Sequence, residues 1–198
     1  MTDRPKLGVI VSSAREGRFA DRVLAWTLKG LAADGRFDPE IIDPREYRVT
    51  LWHGDMQADD MSRLKATLDA CAAFIVIAAE YNHSYPAAVK SLIDAGKTEW
   101  EAKPVAFVSY GGVSGGLRSV EALRLVFAEL HAVTLRDTVS MAMPFQRMNE
   151  NGELADGEMA DRALALVLNR LEWWTSALSA ARAATPYSLS AGGRSARG

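Results

Sequence analysis

Phe74-Ile75-Val76-Ile77-Ala78 is an unbroken apolar run with no polar side to turn toward water. Its shortness and its three consecutive β-branched residues predict a strand buried on both faces. Strands of that kind belong to parallel sheets covered by helices above and below. Ala79 to Tyr85 then reads as a loop, and Pro86 to Ala95 as the helix that follows it. In open α/β sheets, ligands sit in the crevice outside the carboxyl ends of the strands, so this loop is the first candidate for a site.

The same unit recurs along the chain. Leu7 to Val11 predicts a first strand, Ser12 to Arg18 a loop, and Ala20, Leu24, Leu28 and Leu31 a helical stripe that stops before Gly35. Phe37 to Ile42 predicts a second strand, with Pro39 pointing to a ragged start or an edge position. A long connection, Asp43 to Asp60, leads to a stripe of Met61, Leu64, Leu68 and Cys71. Lys103 to Val108 predicts the fourth strand, with Ser109 to Gly116 as its loop and Val120, Leu123, Phe127 and Leu130 as the next helix face. Ala132 to Val139 predicts a fifth strand, and Ala160 to Leu178 a long closing helix. Five alternations of strand and helix call for one parallel sheet with helices on both faces. Residues 1–180 are therefore expected to form one domain. Residues 181–198, rich in Ala, Ser, Gly and Arg and without periodicity, are expected to be a disordered tail.

Charge and cysteine content narrow the function. A formal net charge of −2 without a basic block excludes wholesale nucleic-acid binding. The single cysteine, Cys71, excludes an internal disulfide, and its place on an apolar stripe marks it as inert packing. Three scattered histidines lack metal-ligand spacing, so no metal is expected. No apolar run reaches the roughly 18 residues that a membrane helix needs, and the N-terminus lacks a signal-peptide core, so a soluble cytoplasmic protein is expected.

The loops carry the chemistry. Ser12-Ser13-Ala14-Arg15-Glu16-Gly17-Arg18 joins two hydroxyls and two guanidiniums to the free amides of a helix start, a donor set that suits a phosphate. No Gly-Lys-Ser/Thr closes it, and Gly111 to Gly116 has Val113 where a dinucleotide fingerprint needs glycine. A terminal monophosphate is the remaining anion. Serine ahead of a helix is also the ordinary N-cap, and this loop alone does not separate the two uses. Asn82 donates and accepts at once, matching the edge of a flavin or pterin. Gly111 and Gly112 let backbone approach a flat ring, and Tyr81 and Tyr85 are candidates to stack on it.

Ser13-x-Arg15, Glu80-Tyr81-Asn82-x-Ser84-x-Pro86-x-x-x-Lys90 and Ser109-x-Gly111-Gly112-x-x-Gly115-Gly116-x-Arg118 together resemble the NADPH-dependent FMN reductases, a family that includes quinone, azo and chromate reductases. The resemblance runs from Lys6 to Val139. It implies a flavodoxin-like three-layer α/β/α sandwich with strand order 2-1-3-4-5. It implies FMN, with the phosphate on Ser13, Arg15 and Arg18 and the ring against Glu80, Tyr81, Asn82, His83 and Ser84 and against Ser109, Tyr110, Gly111 and Gly112. It also implies a homodimer or a dimer of dimers with the flavin near the subunit interface. Departures are Ala79 in place of a proline, Arg18-Phe19-Ala20 after the first arginine, and Leu51-Trp52-His53 in the long connection.

On that resemblance, NADPH or NADH passes hydride to the flavin, and a quinone, azo compound, metal oxyanion or free flavin then takes the electrons. The cofactor carries the chemistry, so no catalytic side chain is named. His131 is expected to be structural, while His83 and His53 are candidates to touch the ring or the substrate. The rival classes are a flavodoxin-like electron carrier and a flavin-bound redox sensor. Arg15 and Arg18 and the near-neutral charge argue against the carrier.

Overall fold

The computed structural model describes residues 4–47 and 58–187. Five parallel strands form one sheet: β1 (Lys6–Val11), β2 (Asp38–Ile42), β3 (Ala73–Ala79), β4 (Pro104–Gly111) and β5 (Val133–Ala142). Their order is β2-β1-β3-β4-β5, as in a flavodoxin-like fold, and Pro39 lies on the β2 edge. The helices are α1 (Ala20–Asp34), α2 (Ala58–Ala70), α3 (Ala87–Ala95), α4 (Leu117–Glu129) and α5 (Glu158–Ala184).

Side chains alternate across the sheet and split the core in two. Leu7, Val9 and Val11 of β1 and Ile75 and Ile77 of β3 pack with Val23 and Trp26 of α1 and Leu164, Val167 and Leu171 of α5. Phe74, Val76 and Phe107 face the other way, against Leu64 and Leu68 of α2, Leu92 and Ile93 of α3, and Leu123 and Phe127 of α4. Every residue of β3 is buried, which explains its lack of a polar side. Gly35 ends α1 in the left-handed conformation, its amide donating to the Leu31 carbonyl at 2.9 Å.

Two expectations need correction. The strand expected to end at Val108 continues to Gly111, because Ser109, Tyr110 and Gly111 pair with Ser140, Met141 and Ala142 of β5. Residues 181–184, expected to belong to the tail, are helical, since α5 continues to Ala184. Arg182 Nη1 there donates to the Ala102 carbonyl, and the Tyr187 hydroxyl meets His131 Nδ1 at 2.9 Å, consistent with a structural His131. Residues 188–198, and Leu51, Trp52 and His53, lie outside the described residues. Trp174 packs against the α1/α5 core, whereas Trp173 is exposed.

Lys103 is buried at the start of β4 and its ammonium donates to the carbonyls of Leu68 and Asp69, closing the end of α2. Burial lowers its pKa from 10.5 to about 8. Between those values the unfolded chain holds a proton the folded chain has lost, so this group makes stability rise with pH. Nearby Cys71 acts in the opposite sense, its buried thiol being pushed up to about 11. The expected result is that Lys103→Met removes a gain in urea midpoint between pH 8 and 10, read as the difference between variant and parent. Equal pH slopes in the two proteins would contradict it.

Candidate active site

β1, β3 and β4 leave the sheet at the same edge, and backbone bonds tie their loops together. The Ser12 amide donates to the Ile77 carbonyl at 3.2 Å, and Ser12 Oγ accepts from the Ala79 amide at 2.9 Å. Glu80 N donates to the Tyr110 carbonyl at 3.1 Å. The three loops thus share one frame.

In the first loop, buried Ser13 meets the Tyr81 hydroxyl at 2.6 Å and accepts from the Arg15 amide at 3.3 Å. The Arg15 guanidinium lies 3.9 Å above the Tyr81 ring. Arg15 has no carboxylate partner, and the amides of Glu16 and Gly17 have no acceptor, among the described residues. Arg18 is placed differently. Its buried guanidinium grips both oxygens of Asp43, reaches Asp21 Oδ1 at 2.7 Å and donates to the Ser13 carbonyl at 2.6 Å. These contacts use four of its five N–H donors, although Arg18 also lines the cleft.

In the second loop, Tyr81 and Ser84 exchange backbone bonds of 2.9 and 3.0 Å. Asn82 and His83 at the tip have φ of 50° and 66°, the signature of a type I′ turn, and both are exposed. This conformation is one that Asn tolerates better than most residues. Tyr85 packs against the α2/α3/α4 core and leaves the site. Lys90 pairs with Asp94 on the surface of α3.

Glu80 is also turned inward. Its Oε2 accepts from Ser114 Oγ at 2.6 Å and the Arg118 amide at 3.1 Å, and its Oε1 from Arg118 Nη1 at 2.8 Å. Burial pushes the carboxyl up, but the Ser114 and Arg118 bonds outweigh it and hold the group below the usual carboxylate range. Glu80 therefore fastens the hairpin to the start of α4. In the third loop, the Ser109 hydroxyl donates to the Gly115 and Val139 carbonyls and so supports the turn from within. Gly116 has φ of 87°, and a Cβ there would stand 2.7 Å from the Tyr110 amide, so only glycine fits. A Cβ on Gly112 would meet nothing within 4 Å.

Between these loops lies a cleft of about 460 Å³, lined by Arg15, Gly17, Tyr81, Tyr110, Gly112 and Phe145 among others. Phe19, Tyr110 and Phe145 form an aromatic wall, with Phe19 and Phe145 centroids 4.7 Å apart. Burial raises the Tyr110 phenol well above its ordinary pKa, so it stays neutral. A larger cavity of about 620 Å³ lies between α1 and α5 and contains none of the motif residues. The cleft offers a free guanidinium and open amides at one end, and glycine backbone with aromatic faces at the other. That donor set fits a phosphorylated flat heterocycle.

Four residues at or beside this site were not singled out for it from sequence: Phe19, Asp43, Arg45 and Phe145. Asp43 and Arg45 follow β2, whose place beside β1 brings them to the anion loop. Phe145 follows β5 and reaches the cleft because the Met143 amide donates to the Gly111 and Gly112 carbonyls. No cluster of residues able to hold a metal occurs among the described residues, and none of their helices is long and apolar enough to cross a membrane.

A family model described as NADPH-dependent FMN reductase matches residues 5–146. An NAD(P)H-dependent FMN reductase of Schizosaccharomyces pombe is 28% identical over 121 residues, 57% of this chain and 60% of that protein. An NADPH:quinone oxidoreductase of Arabidopsis thaliana is 35% identical over 48% of this chain and 52% of its own. The chain thus spans between about half and three-fifths of these relatives. Among solved structures, the flavoenzyme NAD(P)H:(acceptor) oxidoreductase FerB of Paracoccus denitrificans superposes with a TM-score of 0.68 at 21% identity, covering 87% of this chain and 98% of that one. A flavodoxin of Pseudomonas aeruginosa gives 0.51 at 17% identity, covering 88% and 99%. These two likenesses concern the fold.

Proposed function

The chain belongs to the NADPH-dependent FMN reductase family, and on that premise we propose that it is an NAD(P)H-dependent FMN oxidoreductase. The observation that carries this reading is the free anion-binding end of the cleft set beside an open glycine bed. Ser13, the Arg15 guanidinium and the Glu16 and Gly17 amides hold the phosphate of FMN. The Tyr81–Ser84 hairpin, with Asn82 and His83 at its tip, and Tyr110, Gly111 and Gly112 would hold the ring. Arg18, Glu80 and Ser109 serve the same site from behind, through the loops they fasten.

Bound FMN supplies two-electron chemistry, taking hydride from a nicotinamide and returning electrons to an acceptor. The protein's task is positioning and exclusion of water. Neutral Tyr110, Phe19 and Phe145 give the cleft an apolar wall that suits flat aromatic partners. A quinone is the acceptor class this wall favours, in keeping with the name of the Arabidopsis thaliana relative. Azo compounds, metal oxyanions and free flavin are the further acceptors to test. The same reading places the enzyme in the cytoplasm as a homodimer or tetramer.

Arg15→Ala is expected to weaken FMN binding by about 1.5–2 kcal/mol, the low end for a charge-assisted contact because the side chain is solvent-exposed. Riboflavin, which lacks the phosphate, should bind the variant and the parent alike. Flavin-fluorescence titration of the cofactor-free protein checks both. Unchanged FMN affinity would remove Arg15 from the phosphate site.

A further inference from the structure

Three consecutive carbonyls of the anion loop are held by arginines. The Ser13 carbonyl accepts from Arg18 Nη1 at 2.6 Å, the Ala14 carbonyl from Arg45 Nε at 3.4 Å, and the Arg15 carbonyl from Arg45 Nη2. One carboxylate joins the two arginines, through the guanidinium of Arg18 and the backbone amide of Arg45. Asp43 binds Arg18 through both oxygens, and its Oδ1 also accepts from the Arg45 amide at 3.0 Å. In a planar trans peptide, the C=O of one residue and the N–H of the next point in opposite directions. No peptide in the described chain is cis. Drawing these three oxygens toward Arg18 and Arg45 therefore turns the amides of Ala14, Arg15 and Glu16 to the other side. On that side the Arg15 amide meets Ser13 Oγ, and the Glu16 amide stands open.

We propose that Arg45, together with the Arg18–Asp43 pair, is a positioning element that shapes the anion loop and presets its Glu16 amide, one of the two assigned to the phosphate above. The inference rests on the FMN reading given above. The donors with which Arg18 and Arg45 hold these carbonyls are turned away from an anion on the amide side, so through these bonds both arginines position the loop. Their effect is preorganisation: successive N–H groups facing one way form an anion-binding concavity before the anion arrives. This also accounts for a buried arginine in the loop whose donors are spent on protein.

The test titrates cofactor-free parent, Arg45→Ala and Arg45→Gln with FMN and with riboflavin, and follows amide hydrogen exchange over residues 14–17 before any flavin is added. Arg45→Ala should weaken FMN about tenfold, the worth of one lost charge-assisted bond, while riboflavin changes less than twofold. Exchange at the Arg15 amide, which Ser13 Oγ holds, should quicken in the same variant. Arg45→Gln keeps a donor without the charge and should recover most of the FMN affinity and of the protection. A glutamine variant as weak as the alanine one, with exchange unchanged in both, would show that Arg45 acts through its charge and overturn the proposal. An equal loss for riboflavin, or no loss at all, would overturn it as well. If the parent binds neither flavin, the FMN reading itself fails, and that failure is seen before any variant is compared.

Discussion

Replacing Asp43 by alanine is expected to destabilise the protein by about 3 kcal/mol. The Arg18 side chain is 4% exposed and Asp43 accepts from both of its terminal nitrogens. Removing that carboxylate strands a cation that cannot reach water, and an uncompensated buried charge costs about 3–5 kcal/mol. Arg18 Nε keeps its bond to Asp21, whose side chain is 52% exposed, which argues for the lower end. A second consequence concerns acid. Burial raises the Asp43 carboxyl, but the bonds from Arg18 and Arg45 prevail and hold it below its ordinary value of 3.8. Stability from this pair is present above that ordinary value and is lost as pH falls through the lower, folded-state one. Urea denaturation should show the loss at neutral pH and a shallower acid decline in Asp43→Ala. A variant as stable as the parent would mean that Arg18 finds water or another partner, contrary to the packing described.

The second large effect is expected at Gly112. A Cβ there meets nothing within 4 Å and Gly112 lines the cleft, so Gly112→Val should fold with parental stability. Flavin affinity should nevertheless fall on the order of a hundredfold. The branched side chain occupies the space the ring needs, and overpacking of about 1–3 kcal/mol adds to lost ring contact. A thermal melt alongside a flavin titration separates the two properties. If the valine variant retains full flavin affinity, the ring lies elsewhere and the third loop leaves the site. If it unfolds, the open space beside Gly112 has been misassigned.

These variants also mark where sequence reasoning reaches its limit. The five-strand sheet was readable because β3 has no polar face and each strand is followed by a periodic apolar stripe. The loop positions followed from the same pattern. Ser109 to Gly111 resembled loop because Ser and Gly disfavour strands, yet pairing with β5 overrides that local preference. Residues 181–184 looked structureless in composition, but alanine is a strong helix former and Arg182 found the Ala102 carbonyl. Side-chain roles at the site were harder. The bond that ties Arg18 to Asp43 was not legible because Asp43 lies on a different strand connection, 25 residues away. The pairing of Glu80 with Arg118 was hidden in the same way, since Arg118 lies 38 residues further on. Spacing along a chain reveals which residues approach a site, while the partners that turn them toward or away from it are set by the sheet order.

The most direct measurement is anaerobic. The protein is freed of flavin, loaded with one equivalent of FMN, and mixed with NADPH or NADH while the flavin absorption band is followed. Tight one-to-one FMN binding is expected, with bleaching of the bound band by a reduced nicotinamide nucleotide with no other protein present and recovery when a quinone is added. Failure to bind FMN would contradict the site. A bound band that dithionite bleaches but neither nucleotide does would instead make the protein an electron carrier.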